Sequence, residues 1–209
     1  MKKHPNYPKS IQIYFQELSR IIGDTQPDKI FQVAEVLFRA WKNGGTVFVI
    51  GCGGSASTAS HFVCDLTKCT IVPGKKRFKA IALVDNTPLI SAWTNDSGWA
   101  TVFAEQLEPW LTEKDVLVGF SVHGGSVNSE VGLRSQNLGR VMELAKERKT
   151  KIIAFAGFDG GAMKKMADVC IVVPIDKEPF ATPLIESFHV VLHHLVCGIL
   201  LKQMIADSK

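Results

Sequence analysis

Residues 46–65 carry three structural instructions in one unbroken segment. Thr46-Val47-Phe48-Val49-Ile50 is an apolar, β-branched run that reads as a buried strand. Gly51, Gly53 and Gly54 then permit a tight turn with exposed amides, and Ser55-Ala56-Ser57-Thr58-Ala59-Ser60 starts a helix. On that helix His61 and Asp65 stand at i and i+4, and so share one face.

The rest of the chain repeats the pattern. Continuous apolar strands are predicted near 79–84, 116–121, 151–156 and 170–174, with helices near 54–68, 100–111 and 133–149. Two helices near 9–22 and 28–42 precede the first strand, the second ended by Asn43-Gly44-Gly45, and an unusually apolar helix near 184–206 closes the chain. Strands apolar on both faces, alternating with helices, predict an α/β three-layer α-β-α sandwich with a five-stranded parallel sheet and an N-terminal helical extension. At 209 residues, with no Pro/Ser-rich linker, the expectation is a single domain over 1–209: a helical preface at 1–44 and an α/β core from 45 to 209.

The net charge of +4 is spread as mixed signs, with Lys75-Lys76-Arg77 the longest basic run; this suits a small anion better than extended nucleic acid. The five cysteines are odd in number and lack a CxxC spacing, which fits a reducing compartment. Met1-Lys2-Lys3-His4-Pro5 leads into polar residues rather than an apolar signal core, and no window holds about 18 uncharged apolar residues. A cytoplasmic protein that binds neither membrane nor nucleic acid is expected.

Open parallel sheets bind ligands outside the carboxyl ends of their strands. The residues there are polar: Cys52-Gly53-Gly54-Ser55 after the first strand, Asp85-Asn86-Thr87 after the second, Val122-His123-Gly124-Gly125-Ser126 after the third, and Gly157-Phe158-Asp159-Gly160-Gly161 after the fourth. The first turn fits G-x-G-x-x-G/A literally, yet a dinucleotide site wants an acid about 20 residues on. Thr70 to Gly74 contains none, and Asp85 is too distant, so no nucleotide cofactor is expected. Two glycine and hydroxyl turns at one sheet edge suit a phosphate or a polyol.

Gly51-x-Gly53-Gly54-Ser55-Ala56 with His61-Phe62 and Asp65-Leu66-Thr67, then Asn95-Asp96, Ser121-x-x-Gly124-x-Ser126, Gly157-x-Asp159-Gly160-Gly161 and Ala167-Asp168, resembles the sugar isomerase (SIS) domain family. Within it the likeness is greatest to the phosphoheptose isomerases. The resemblance implies a flavodoxin-like SIS fold and conversion of sedoheptulose 7-phosphate to D-glycero-D-manno-heptose 7-phosphate, a precursor of lipopolysaccharide or surface polysaccharide. The unusually apolar terminal helix and the helical preface, whose faces need partners, suggest a homo-oligomer, a tetramer by preference, and in the family the sites sit between subunits. Substrate binding is carried over to Cys52, Gly53, Gly54 and Ser55, to Asn95 and Asp96, to Ser121, Val122, His123 and Ser126, and to Glu186. A zinc ion is carried over to His61, Asp65, Glu186 and His194, with Asp65 and His194 as the proton-transfer pair.

The residue types suit that chemistry. Aldose–ketose isomerisation needs a base for a carbon-bound proton, an acid for the neighbouring oxygen, and a cation or donors for the enediolate. Imidazoles with a carboxylate form a common zinc shell. Glu186 and His194 are eight apart, an offset of roughly 80° on a helix, whereas Glu186, His189 and His193 form a single stripe. Spacing alone therefore favours His193 or His189, and the resemblance places the role on His194.

The chain departs from the family pattern at several positions. Cys52 replaces an Asn, Asp65 a Glu and Glu186 a Gln, while Ser-Val-His-Gly-Gly-Ser replaces Ser-Thr-Ser-Gly-Asn-Ser. The longer segment after Ser126 brings Arg134, Ser135, Gln136, Asn137 and Arg140 into consideration, the arginines as replacement phosphate ligands. Two other readings stand beside the isomerase: a non-catalytic SIS phosphosugar-binding or regulatory module, and a nucleotide-dependent oxidoreductase, weakened by the missing acid.

Overall fold

The computed structural model describes residues 7–126 and 135–207. The chain runs α1 (Tyr7–Asp24), α2 (Pro27–Asn43), β1 (Thr46–Gly51), α3 (Gly54–Lys68), β2 (Lys79–Ala82), α4 (Thr87–Ser97), α5 (Val102–Leu107), β3 (Val116–Phe120), α6 (Gln136–Glu147), β4 (Lys151–Ala156), α7 (Gly161–Met166), β5 (Val169–Val172) and α8 (Ala181–Ala206). The five strands form one sheet in the order β2-β1-β3-β4-β5, every neighbouring pair parallel.

The two-residue period of the strands builds the layers. In β1, Val47 and Val49 pack with α2, α3 and α8 on one face; Phe48 and Ile50 pack with α5 and α6 on the other. β3 divides likewise, Val118 and Phe120 facing the first layer and Leu117 the second. The central strands are buried on both faces, as continuous apolar runs require, and the edge strand β2 leaves Lys79 and Ile81 exposed. The three-layer α-β-α sandwich with a five-stranded parallel sheet is thus present.

α8 spans 26 residues with a mean hydropathy of 1.8 over its most apolar window, long and apolar enough by composition to cross a membrane. Its apolar side chains have another use here. Leu184, Ile185, Phe188, Leu192, Val196, Leu200 and Met204 are buried, and the helix packs against α2 and α3 as the spine of the first layer.

Two helices escape the sequence pattern. α4 buries no residue, so no apolar stripe marks it; its signals are Pro88 in the first turn and Asn86, whose side chain accepts from the Leu89 amide at 3.2 Å. α7 is six residues long and lies between the fourth and fifth strands, where no helix is predicted from the sequence. The predicted helices near 100–111 and 133–149 are shorter than expected, at Val102–Leu107 and Gln136–Glu147.

Candidate active site

β1 and β3 are neighbours whose following connections leave on opposite faces, and this topological switch point opens a crevice at their carboxyl ends. A cleft of about 660 Å³ lies there. From the first loop Cys52 and Ser55 line it, and from the second Ser121, Val122, His123 and Ser126. Glu186 of α8 closes one side. Gly53 and Gly54 form the turn between two lining residues, Gly53 at φ 59°, a conformation that glycine adopts without strain. Ser121 is buried, and its Oγ accepts from the Gly124 amide at 3.0 Å, which fixes the second turn.

Ser135, brought into consideration by the longer segment, lines the cleft, as do Gly125, Asp159 and Gly161, which were not singled out as site residues. Asp159 and Gly161 follow β4, one of the strand ends where ligands are expected. Asn95 and Asp96 are not among the lining residues; they sit exposed at the end of α4, Asn95 Nδ2 donating to Asp96 Oδ1 at 2.7 Å. Arg140 is exposed on α6 and does not line the cleft, and Arg134 lies outside the described residues.

α3 and α8 run side by side in the same direction, and that pairing sorts the remaining residues. At one level the Glu186 carboxylate lies against Gly54, where a Cβ would meet Oε1 at 2.6 Å. Seven residues further along each helix, a rise of about 10 Å, His61 and Asp65 meet His193 and His194. Asp65 Oδ2 lies 3.2 Å from His194 Nε2, 3.3 Å from His193 Nδ1 and 3.7 Å from His61 Nε2. The His61 and His194 Nε2 atoms are 3.3 Å apart. Of the expected set of four, His61, Asp65 and His194 come together here with His193 beside them, whereas Glu186, eight residues before His194 on α8 and so about 12 Å away along the axis, is not in the group.

Asp65 Oδ2 and both ring nitrogens of His193 are buried without a hydrogen-bond partner, so the 3.3 Å approach between them satisfies neither group. Orphaned donors and acceptors of this kind are costly unless something else satisfies them. A four-coordinate ion with bonds of about 2.0 Å needs ligand atoms about 3.3 Å apart. The four side chains suit a divalent metal on residue type and on the unmet valence, and their ligand atoms lie within 4.8 Å of one another, a spread that would have to tighten around an ion.

Burial, with the neighbouring His194 and His61, pushes the His193 imidazole down to about 4, so it is neutral, the ligand form. His193 has no solvent exposure and lies beside Phe62 and Phe120, while His194 and His61 face solvent. Asp65 Oδ1 accepts from the Cys69 thiol at 3.5 Å, leaving Oδ2 to the histidines. One turn up α8, His189 is buried and aims Nε2 at the Ala156 carbonyl, 3.4 Å away. At the cleft end, Cys52 Sγ meets the fully buried Asn137 amide, Nδ2 at 3.3 Å.

Comparisons with known proteins place the chain in a family. A family model described as SIS domain matches residues 13–157. A lincomycin biosynthesis protein (LmbN) of Streptomyces lincolnensis is 50% identical over 195 residues, 93% of this chain and 70% of that protein. A phosphoheptose isomerase of Helicobacter pylori (strain P12) is 35% identical over 166 residues, 79% of each chain. The structure of a phosphoheptose isomerase from Neisseria gonorrhoeae superimposes with a TM-score of 0.80 at 28% identity, covering 93% of this chain and 98% of that one. With a strand-end cleft, a carboxylate–imidazole cluster on paired helices and these likenesses, the chain belongs to the SIS domain family.

Proposed function

We propose that this chain isomerises sedoheptulose 7-phosphate to D-glycero-D-manno-heptose 7-phosphate, or performs the same aldose–ketose exchange on a near relative of that sugar. It is a SIS-family phosphosugar isomerase, as the phosphoheptose isomerases among its relatives and structural neighbours support. The observation that carries the reading is the spacing of two unlike sites along α3 and α8. A loop of amides and hydroxyls suited to phosphate lies at one level, and a carboxylate among imidazoles lies about two helical turns away. None of the four cluster residues lines the cleft, and an extended seven-carbon sugar phosphate is long enough to span the separation of roughly 10 Å.

In this reading Ser55, Ser121, Ser126 and the amides of the two glycine turns hold the phosphate and the nearest hydroxyls. Asp65 takes the proton from the carbon next to the carbonyl, and His194, 3.2 Å from Oδ2, returns a proton to the other carbon or to the oxygen. Glu186 accepts hydrogen bonds from sugar hydroxyls in the cleft. His61, Asp65, His193 and His194 would hold a divalent metal, zinc by residue type. When bound, that ion supplies positive charge next to the developing enediolate. The buried side of the cluster, with Phe62 and Phe120 around His193, keeps bulk water from one face.

We further infer a cytoplasmic homo-oligomer, a tetramer by preference, for which the exposed apolar face of α1 gives support. Incubation of sedoheptulose 7-phosphate with the protein in deuterium oxide tests the chemistry. Formation of the aldose, with solvent deuterium at its second carbon, is expected, and recovery of unchanged, unlabelled ketose contradicts the reading.

A further inference from the structure

We propose that Phe158 is a positioning residue for His123, holding the imidazole against the cleft as a hydrogen-bond donor to the bound phosphosugar. The inference rests on the functional reading above for the identity of the ligand, and on two independent observations for the role.

The first observation is backbone conformation. Phe158 sits at φ 49°, in the left-handed region, where a bulky side chain is an outlier. Its neighbours Gly160 and Gly161 adopt positive φ as glycines do. A glycine at 158 would remove the strain, so the ring must return something that a glycine cannot. The second observation is what the ring touches. The Phe158 and His123 centroids are 4.3 Å apart with planes inclined by 31°. His123 lines the cleft, whereas Phe158 does not; it borders a separate cavity of about 600 Å³ with Pro174, Ile175 and Phe180. The ring thus backs the imidazole from the side away from the ligand.

The two loops are also locked together through their backbones. Val122 O accepts from the Gly157 amide at 3.0 Å, Gly124 O from Met163 at 2.9 Å and Gly125 O from Ala162 at 3.2 Å. A Cβ on Gly124 would overlap the Gly160 carbonyl, which is why the turns can approach this closely. The backbone contacts fix the path of the β3 loop, yet they leave the His123 side chain free to rotate. Stacking on Phe158 removes that freedom, so less rotamer entropy is lost when ligand binds.

Kinetics of sedoheptulose 7-phosphate isomerisation with Phe158→Ala, Phe158→Tyr, His123→Ala and the double variant Phe158→Ala/His123→Ala test the proposal. Phe158→Ala should raise KM by roughly tenfold, the scale of an aromatic pair, while kcat stays within about twofold. Phe158→Tyr should restore KM, and Phe158→Ala should add nothing in the His123→Ala background, since the ring acts through the imidazole. An equal rise in KM in both backgrounds, or none in either, overturns the proposal. The His123 ring-proton resonances of the ligand-free protein give a readout independent of turnover. Their upfield displacement should disappear in Phe158→Ala and persist in Phe158→Tyr; no change in Phe158→Ala overturns the positioning role even in an active enzyme. A wild-type protein inert on the sugar that still shows the ring-dependent displacement supports the positioning of His123 and contradicts the assigned substrate.

Discussion

Asn137 donates its side-chain amide to the Cys52 sulfur at 3.3 Å from a position with no solvent exposure, tying the start of α6 to the turn after β1. Cys52 stands where the family resemblance leads one to expect an Asn, and the amide that the turn lacks approaches it from the next layer. Burial pushes the Cys52 thiol up, with Asn137 and Ser135 opposing weakly. Iodoacetamide at pH 8 should therefore modify Cys52 more slowly than the exposed Cys64, and sedoheptulose 7-phosphate should slow it further because Cys52 lines the cleft. Peptide mapping by mass spectrometry reads both. Asn137→Ala should lower the free energy of urea unfolding by about 1–3 kcal/mol, the usual cost of a lost buried polar contact.

The cluster on α3 and α8 separates two sets of metal ligands by experiment. With His193 as a member, His193→Ala should bind less than a tenth of the zinc taken up by the wild type, since a tetrahedral shell loses a buried ligand. Glu186→Ala should keep the wild-type stoichiometry, because Glu186 lies against Gly54 rather than among the histidines. Metal content by mass spectrometry on protein purified without a histidine tag decides; loss of zinc in Glu186→Ala with retention in His193→Ala restores the set expected from the family resemblance.

His189 gives the fold a defined pH dependence. Burial lowers its folded-state value to about 4 from an ordinary 6.5. Between those values the unfolded chain binds the extra proton, so stability is complete above about 6.5 and falls as pH drops toward 4. The His189 share of the loss between pH 7 and pH 5 should be about 2 kcal/mol in urea unfolding. His193 acts in the same direction, so His189→Gln should flatten the profile without abolishing it. An unchanged slope in His189→Gln contradicts the assignment.

On α1 the side chains of Ile11, Phe15 and Ile22 are 57%, 60% and 60% exposed, and their spacing places them on one face. Light scattering should find an oligomer of the wild type. Phe15→Asp should shift it toward monomer with the sheet intact by circular dichroism. A monomeric wild type contradicts the oligomer.

The parts of the fold legible in the sequence were those with a strong hydrophobic pattern. The β1 run, buried on both faces, and the amphipathic α2 announce themselves because packing selected their residues. α4 has no buried residue, so only its cap could betray it. The candidate site shows the same division. Strand-end loops point to the cleft through topology, which is how Ser55, Ser121 and His123 were found. The membership of His193 depends on α8 running parallel to α3 in a register that sets Glu186 opposite Gly54 and residues 193 and 194 opposite 61 and 65. Spacing on α8 favoured His193 or His189 and the resemblance favoured His194; both adjacent histidines reach Asp65 because the carboxylate lies between them.

The central claim is that Asp65 and His194 move the protons of a phosphosugar isomerisation. Turnover of sedoheptulose 7-phosphate by Asp65→Asn and by His194→Ala, each shown to be folded by its thermal midpoint, tests it most directly. A fall in kcat of at least about a hundredfold in both variants is predicted, the scale of a lost general acid or base. Turnover undiminished in either variant would contradict the assignment.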